Sequence, residues 1–318
     1  MRARVGAVLC LSVLMGQACG RAVPDSPRAR LRFATGMPGA NFYVLGDALA
    51  REYARALPNL DIVVTPTGGS GANLEAVERG EADIALSHAD ITYLAFVGRL
   101  EDGRAAFTRL RGIAMLHVAP VHVVVGRGSG IESVAGLRGR RISIGRPSWA
   151  KSSTAARVMR AFGLSFAEET FEPLRYDEAA QRIGQGTLDA LLVTGTYPMS
   201  AVTTAAAAGA RILPLEGEPI DRLRRAYPFF IRTTIPAGTY PGQSEAIHTI
   251  GVHTLLVCRA DLDEALVHDL TERLFAALPT VSTPDIALGQ VDLAQAPATP
   301  IPLHRGAARY YREQELAR

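Results

Sequence analysis

Thr65-Pro66-Thr67-Gly68-Gly69-Ser70-Gly71-Ala72-Asn73-Leu74 stands between an apolar run (Leu60, Ile62, Val63, Val64) and a helix-like segment that ends at Gly80. A glycine-rich turn of this kind presents backbone N–H groups at a helix N-terminus, where the aligned peptide dipoles favour an anionic guest. Ser70 and Asn73 are short polar side chains of the sort that cap a helix or hold a ligand. Gly-Gly-Ser-Gly is also ordinary loop chemistry. What gives the turn weight is repetition, because the chain passes through the same strand, polar turn and helix several times.

Upstream, Leu31 to Gly36 reads as a first strand, Met37 to Asn41 as a turn, and the following segment as an amphipathic helix with Leu45, Leu49, Tyr53 and Leu57 on one face. Downstream, Ala82 to Ser87 reads as a buried strand with the polar exit Ser87-His88-Ala89-Asp90. Strands alternating with helices at this spacing imply an α/β protein with a largely parallel, doubly wound sheet. Ligands of such sheets sit beyond the carboxyl ends of the strands. The candidate ligand-binding residues of this half are therefore Gly36, Asn41, Tyr43, Gly69, Ser70, Asn73, Ser87, His88 and Asp90.

A fresh unit begins at the apolar run Pro120 to Val125. A strand over Ile142 to Gly145 leads through Arg146-Pro147-Ser148-Trp149-Ala150-Lys151-Ser152-Ser153-Thr154 into a helix closed by Gly163, and a strand over Leu188 to Val193 leaves by Thr194-Gly195-Thr196-Tyr197-Pro198. This predicts a second lobe built like the first. Trp149, Lys151, Ser152, Ser153, Thr194 and Tyr197 are its candidate ligand-binding residues. Trp149 is the only Trp and Lys151 the only Lys of the chain. Lys151 would set a point charge beside a helix N-terminus, suited to a carboxylate or phosphate; Trp149 offers a flat apolar face. The plainer reading packs Trp149 against the rim and leaves Lys151 in water. Thr249 to Val257 is β-rich and, with Pro120 to Val125, is expected to form a two-strand hinge about which the lobes close. The expected boundaries are 31–119 for lobe one, 120–248 for lobe two and 249–318 for the return to lobe one.

The first residues are basic (Arg2, Arg4), Val5 to Met15 is apolar apart from Ser12, and Gly16 to Gly20 is small and polar. This pattern predicts a secretory signal over 1–18, too short in its apolar run to span a bilayer. Cleavage after an Ala and lipid attachment at Cys19 both fit; Gly16 stands where a lipobox carries Leu, and the Pro- and Arg-rich stretch 19–30 reads as a tether. Cys258 alone remains in the body, so the fold rests on its hydrophobic core rather than on an internal disulfide. A formal charge of +3 over 318 residues gives no sign of nucleic-acid binding.

Several strings together closely resemble the TAXI solute receptors, the extracytoplasmic substrate-binding proteins of one branch of TRAP transporters. They are Ala34-Thr35-Gly36, Asn41 to Gly46, Thr67 to Asn73, Gly80 to Ala85, Tyr227-Pro228-Phe229-Phe230, Ile235-Pro236-Ala237-Gly238-Thr239-Tyr240-Pro241-Gly242-Gln243, and Pro302-Leu303-His304 with Tyr310-Tyr311. The resemblance implies a type II periplasmic-binding-protein fold with two doubly wound lobes, a small organic acid or amino acid ligand, and a TRAP-type membrane permease as partner. Family members usually carry Pro-Gly-Ser-Gly-Thr where this chain has Pro147-Ser148-Trp149-Ala150-Lys151, so the usual ligand is in question.

Other chemistries find weaker support. Gly145 to Ser152 approaches a phosphate-binding P-loop but has Ala150 in place of the second glycine. Gly68 to Ala72 approaches a nucleophile elbow but ends in Ala72, and a hydrolase using Ser70 would need His88 or His117 as base. His117 with His122, and His248 with His253, are five apart and share neither a helical nor a strand face. No metal, cofactor or catalytic residue is expected, and a receptor feeding a signalling partner is the nearest alternative.

Overall fold

The computed structural model describes residues 29–38, 40–101, 103–145, 149, 152–165, 170–281 and 291–316. The predicted signal over 1–18, Cys19, most of the tether and Lys151 lie outside the described residues.

The first lobe opens with β1 (Ala29–Thr35), α1 (Asn41–Ala56), β2 (Leu60–Pro66), α2 (Ser70–Glu78), β3 (Ile84–His88) and α3 (Ala89–Phe96). Leu45, Leu49 and Tyr53, four residues apart, form the stripe that seats α1 on the sheet. β1 pairs in parallel with β2 on one side and β3 on the other, so all three end at one edge. The second lobe contains β5 (Arg141–Ser143), α4 (Thr154–Ala161), β6 (Thr170–Phe171), α5 (Tyr176–Gly184), β7 (Ala190–Thr194), α6 (Ser200–Ala207), β8 (Arg211–Leu213), α7 (Glu218–Ala226) and β9 (Ile231–Ile235). Here β5 pairs in parallel with β6 and β7.

Two long strands run through both halves, β4 (Leu110–Val125) and β10 (Ile247–Arg259), and the strand order is β2-β1-β3-β10-β4-β7-β5-β6. They are antiparallel to each other from Leu110 opposite Arg259 to Pro120 opposite Gly251. Beyond that point β4 pairs with β7 and β8, and β10 with β9. Both expected hinge segments lie in these two crossing strands, Pro120–Val125 in β4 and Thr249–Val257 in β10. In the ladder the two segments pair only at Pro120 and Gly251, with the Thr249 hydroxyl also donating to the Val121 carbonyl at 2.7 Å, and the paired length comes from the residues before Pro120. Pro120 does not open the strand; it cannot donate to a ladder and sits where one set of partners gives way to the next. A Cβ on Gly251 would lie 2.6 Å from a Val118 side-chain carbon and 2.9 Å from the Ala119 carbonyl oxygen, so the crossing requires glycine.

Four apolar clusters cover both faces of both half-sheets. The two helices near the C-terminus, α8 (Glu264–Val281) and α9 (Arg305–Leu316), return to the first lobe and pack with α1 against β1 and β4. Val121, Val123, Val124 and Val125 are fully buried, as a central strand covered on both faces demands. Among the described residues no helix is long and apolar enough to cross a membrane.

Candidate functional site

The parallel strands of the two lobes end facing each other, and the turns that leave them enclose a cavity of about 280 Å³. Lobe one contributes the turn after β1, the Gly68–Gly71 turn and His88 at the end of β3. Lobe two contributes Trp149, the start of α4, Tyr176 at the start of α5, and the residues Thr194 to Thr196 and Met199 to Ala201. His117, Ala119 and Thr254, from the two crossing strands, form its floor. α1, α2, α4, α5 and α6 all begin at this wall, so five helix N-termini of both lobes bring partial positive charge to one space.

Eight of the candidate residues lie in the wall: Gly36, Asn41, Gly69, Ser70, His88, Trp149, Ser153 and Thr194. Ser153 also caps α4, its hydroxyl accepting from the Ala156 N–H at 3.1 Å. Tyr43, Asn73, Ser87, Asp90, Ser152 and Tyr197 are outside the wall. For four of them the reason is local. One residue along α1 is a rotation of about 100°, which puts Phe42 rather than Tyr43 at the cavity. Asn73 is fully buried and ties the glycine-rich turn to β3: its amide donates to the Leu86 carbonyl at 2.6 Å and its carbonyl oxygen accepts from the Thr67 hydroxyl. Ser87 neighbours His88 on a strand and therefore faces the other way. Ser152 is fully buried, its backbone carbonyl accepting from Arg157 at 3.0 Å. Sequence reasoning missed Tyr176, Met199 and Thr254 as wall residues. The crossing strands carried no turn signal to mark His117 and Thr254, and β6, which leads to Tyr176, is two residues long.

The two wall histidines are uncharged at neutral pH. Burial pushes the His88 imidazole down to about 4, opposed by the nearby Asp90 charge, and pushes His117 down to about 3, with His88 and His253 adding to it. Nε2 of His88 and Nδ1 of His117 are buried and have no hydrogen-bond partner among the described residues, while Nε2 of His117 meets the Thr254 hydroxyl at 3.1 Å. The Ser70 hydroxyl accepts from the His88 backbone N–H at 3.2 Å. Asp177 and Arg175, both exposed, form a two-pronged ion pair at 3.0 and 2.9 Å. Among the described residues no group of three His, Cys, Asp or Glu side chains is assembled to hold a metal ion.

The lobes touch on both sides of the cavity. On one side the Asn41 amide donates to the Thr196 carbonyl at 3.0 Å and also meets its hydroxyl. On the other, Trp149 of lobe two is inserted into the apolar cluster of lobe one, its ring over Gly71, edge-on to Phe107, with the Arg104 guanidinium 4.1 Å from the ring centroid. Next to it, α4 meets α3. Arg157 and the Thr154 hydroxyl both reach Asp90, at 2.8 and 2.9 Å, and Glu101 accepts from Arg157 and Arg160.

The family model of the NMT1-like family matches residues 33–314, and the chain belongs to that family. The alkanesulfonate-binding protein SsuA from Xanthomonas axonopodis pv. citri, solved bound to MOPS, shares the fold at 17% identity and a TM-score of 0.50, over 89% of this chain and 83% of its own. A protein of Bordetella bronchiseptica RB50 does so at 19% identity and a TM-score of 0.53, over 90% and 83%.

Proposed function

We propose that this member of the NMT1-like family is an extracytoplasmic receptor that clamps a small anionic or zwitterionic solute between its lobes and delivers it to a membrane transporter. The observation that carries the reading is the cavity itself, set between two lobes and bounded by helix N-termini from both. Backbone N–H groups at those termini, with the hydroxyls of Ser70, Ser153 and Thr194 and the amide of Asn41, are suited to carboxylate oxygens. In this reading 31–119 and 249–318 form the first lobe and 120–248 the second, and solute binding favours the closed state by its differential affinity alone. The strings shared with TAXI receptors support a TRAP-type permease as partner, and the N-terminal sequence supports export over 1–18 with lipid attachment at Cys19. SsuA is by its name an alkanesulfonate-binding protein, which is in keeping with an anionic solute.

The test is a thermal-shift screen of the protein, refolded from denaturant to strip carried-over solute, against carboxylic acids, amino acids, sulfonates and sugars. A solute at about a hundred times its dissociation constant adds roughly 2.7 kcal/mol of stability. One class of acid raising the melting temperature, with the shift reduced by Ser70→Ala and Asn41→Ala, is the expected result. Silence across the panel, with ester substrates turned over and turnover lost on Ser70→Ala, would replace the receptor by a hydrolase.

A further inference from the structure

We infer that Arg175 binds the anionic group of the solute, and that Asp177, the carboxylate it holds in the structure, is a counter-ion which that group displaces. The inference rests on the receptor reading and names the residue that selects for charge in the same cavity.

In the described part of the cavity wall the side chains charged at neutral pH are Arg175 and Asp177. Arg175 stands just before α5 and Asp177 in its first turn. The residues that alternate with them turn inward: Leu174 is buried, and the ring of Tyr176 lies against Gly145, where a Cβ would come within 3.2 Å of its Cε1. Leu174 and Tyr176 thereby fix the backbone of the turn. The two charged side chains are left outside that packing, 47% and 62% exposed. The arginines that join the lobes beside Trp149 are engaged elsewhere: Arg157 is buried on Asp90, and Arg104 pairs with Glu75 at 3.0 Å.

Nε and Nη2 of Arg175 donate to the two carboxylate oxygens of Asp177 at 3.0 and 2.9 Å. This is the fork with which a guanidinium takes any carboxylate or similar oxyanion. The present occupant is replaceable. An exposed ion pair contributes little, because water screens both charges, and an Asp177 that is released returns to water. A solute anion on the same fork lies in a cleft that loses water as the lobes close over it, where the same two bonds are stronger. The exchange therefore favours the solute. Asp177 stays ionised at neutral pH after it, since even an unpaired aspartate titrates near about 3.9, and its charge then opposes the anion beside it.

Isothermal titration at low ionic strength with succinate, ethanesulfonate and glutamate, and with any further solute found in the screen, tests this on the refolded parent, Arg175→Gln, Arg175→Lys and Asp177→Asn. Whichever of these solutes the parent binds is expected to lose at least tenfold in affinity in Arg175→Gln. It should regain part of that in Arg175→Lys, which keeps the charge and lacks the fork, and gain at least twofold in Asp177→Asn. A merely structural loss would lower affinity in both members of the pair, so the opposite signs are the signature. Affinity kept within tenfold in Arg175→Gln overturns the inference and leaves the receptor standing. An Asp177→Asn that binds no more tightly than the parent overturns it too; weaker binding there would assign Asp177 to a cationic group of the solute. No binding of any solute overturns the receptor reading beneath it.

Discussion

Asp90 of α3 and Arg157 of α4 meet at 2.8 Å across the cleft, with side-chain exposures of 0% and 2%. A buried carboxylate loses its hydration and needs its cation in place; removing one partner of such a pair typically costs about 3–5 kcal/mol. Here the cost can be avoided by opening, because the pair lies between two lobes and Asp90 regains water when they part. Arg157→Met is therefore expected to raise the radius of gyration in solution scattering without added solute. An unchanged radius would mean that the pair does not hold the lobes together.

Gly71 and Trp149 make a second contact of the same kind. A Cβ on Gly71 would stand 1.9 Å from the ring carbon Cδ2 of Trp149, a distance that forces the indole away. Gly71 lies in the first turn of α2, where alanine is the better helix former by about 1 kcal/mol. Gly71→Ala should thus lower stability, the lost seat of the indole outweighing the helix gain, and weaken solute affinity at least tenfold. Trp149 is the sole tryptophan, so its emission reports the event directly. A red shift relative to the parent is expected; an unshifted spectrum with unchanged affinity would show that the indole is not part of the closed state.

The buried histidines set a pH dependence of stability. Folding lowers His88 to about 4, His117 to about 3 and His122 to about 4, against the ordinary 6.5. Between about pH 4 and 6.5 the unfolded chain binds more protons than the folded one, so stability is full above that window and falls as pH drops through it. Each histidine contributes a slope of up to about 1.4 kcal/mol per pH unit. Denaturant unfolding at pH 7.5 and pH 5.0 should show the loss, and His117→Gln should make the difference between the two smaller. Equal stability at both pH values would show that these rings are hydrated.

Tyr240 belongs to the Ile235–Gln243 string and reaches the cavity from behind. Its hydroxyl accepts from the Met199 backbone N–H at 3.1 Å, just before α6 begins, and meets Nε2 of His122 at 2.9 Å. Tyr240→Phe leaves both groups unpaired in a buried place, at a cost of about 1–3 kcal/mol. Because Met199 and Ser200 form part of the wall, solute affinity should fall together with the melting temperature. A loss of stability with affinity intact would restrict the residue to packing.

Much of this was legible in the chain. Strand, polar turn and helix recur at a spacing that only a doubly wound sheet accommodates, and the turns at Gly36–Asn41, Gly68–Gly71, Ser153 and Thr194 stand at strand ends, where the rule for such sheets puts a ligand. Local periodicity and turn chemistry suffice for that, since both are properties of adjacent residues. What the sequence could not decide is which side of a turn faces the cavity and what meets it from elsewhere in the chain. Asn73 and Asp90 have the chemistry of ligand contacts, yet one is consumed by Thr67 and Leu86 and the other by Arg157 and Thr154. His117 and Thr254 reach the floor only because β4 and β10 pair across 137 positions of sequence. The strands and turns follow from neighbouring residues; the pairing of Asp90 with Arg157, the neutrality of the two wall histidines and the seat of Trp149 on Gly71 follow from desolvation and contact between distant segments, which only the tertiary structure brings about.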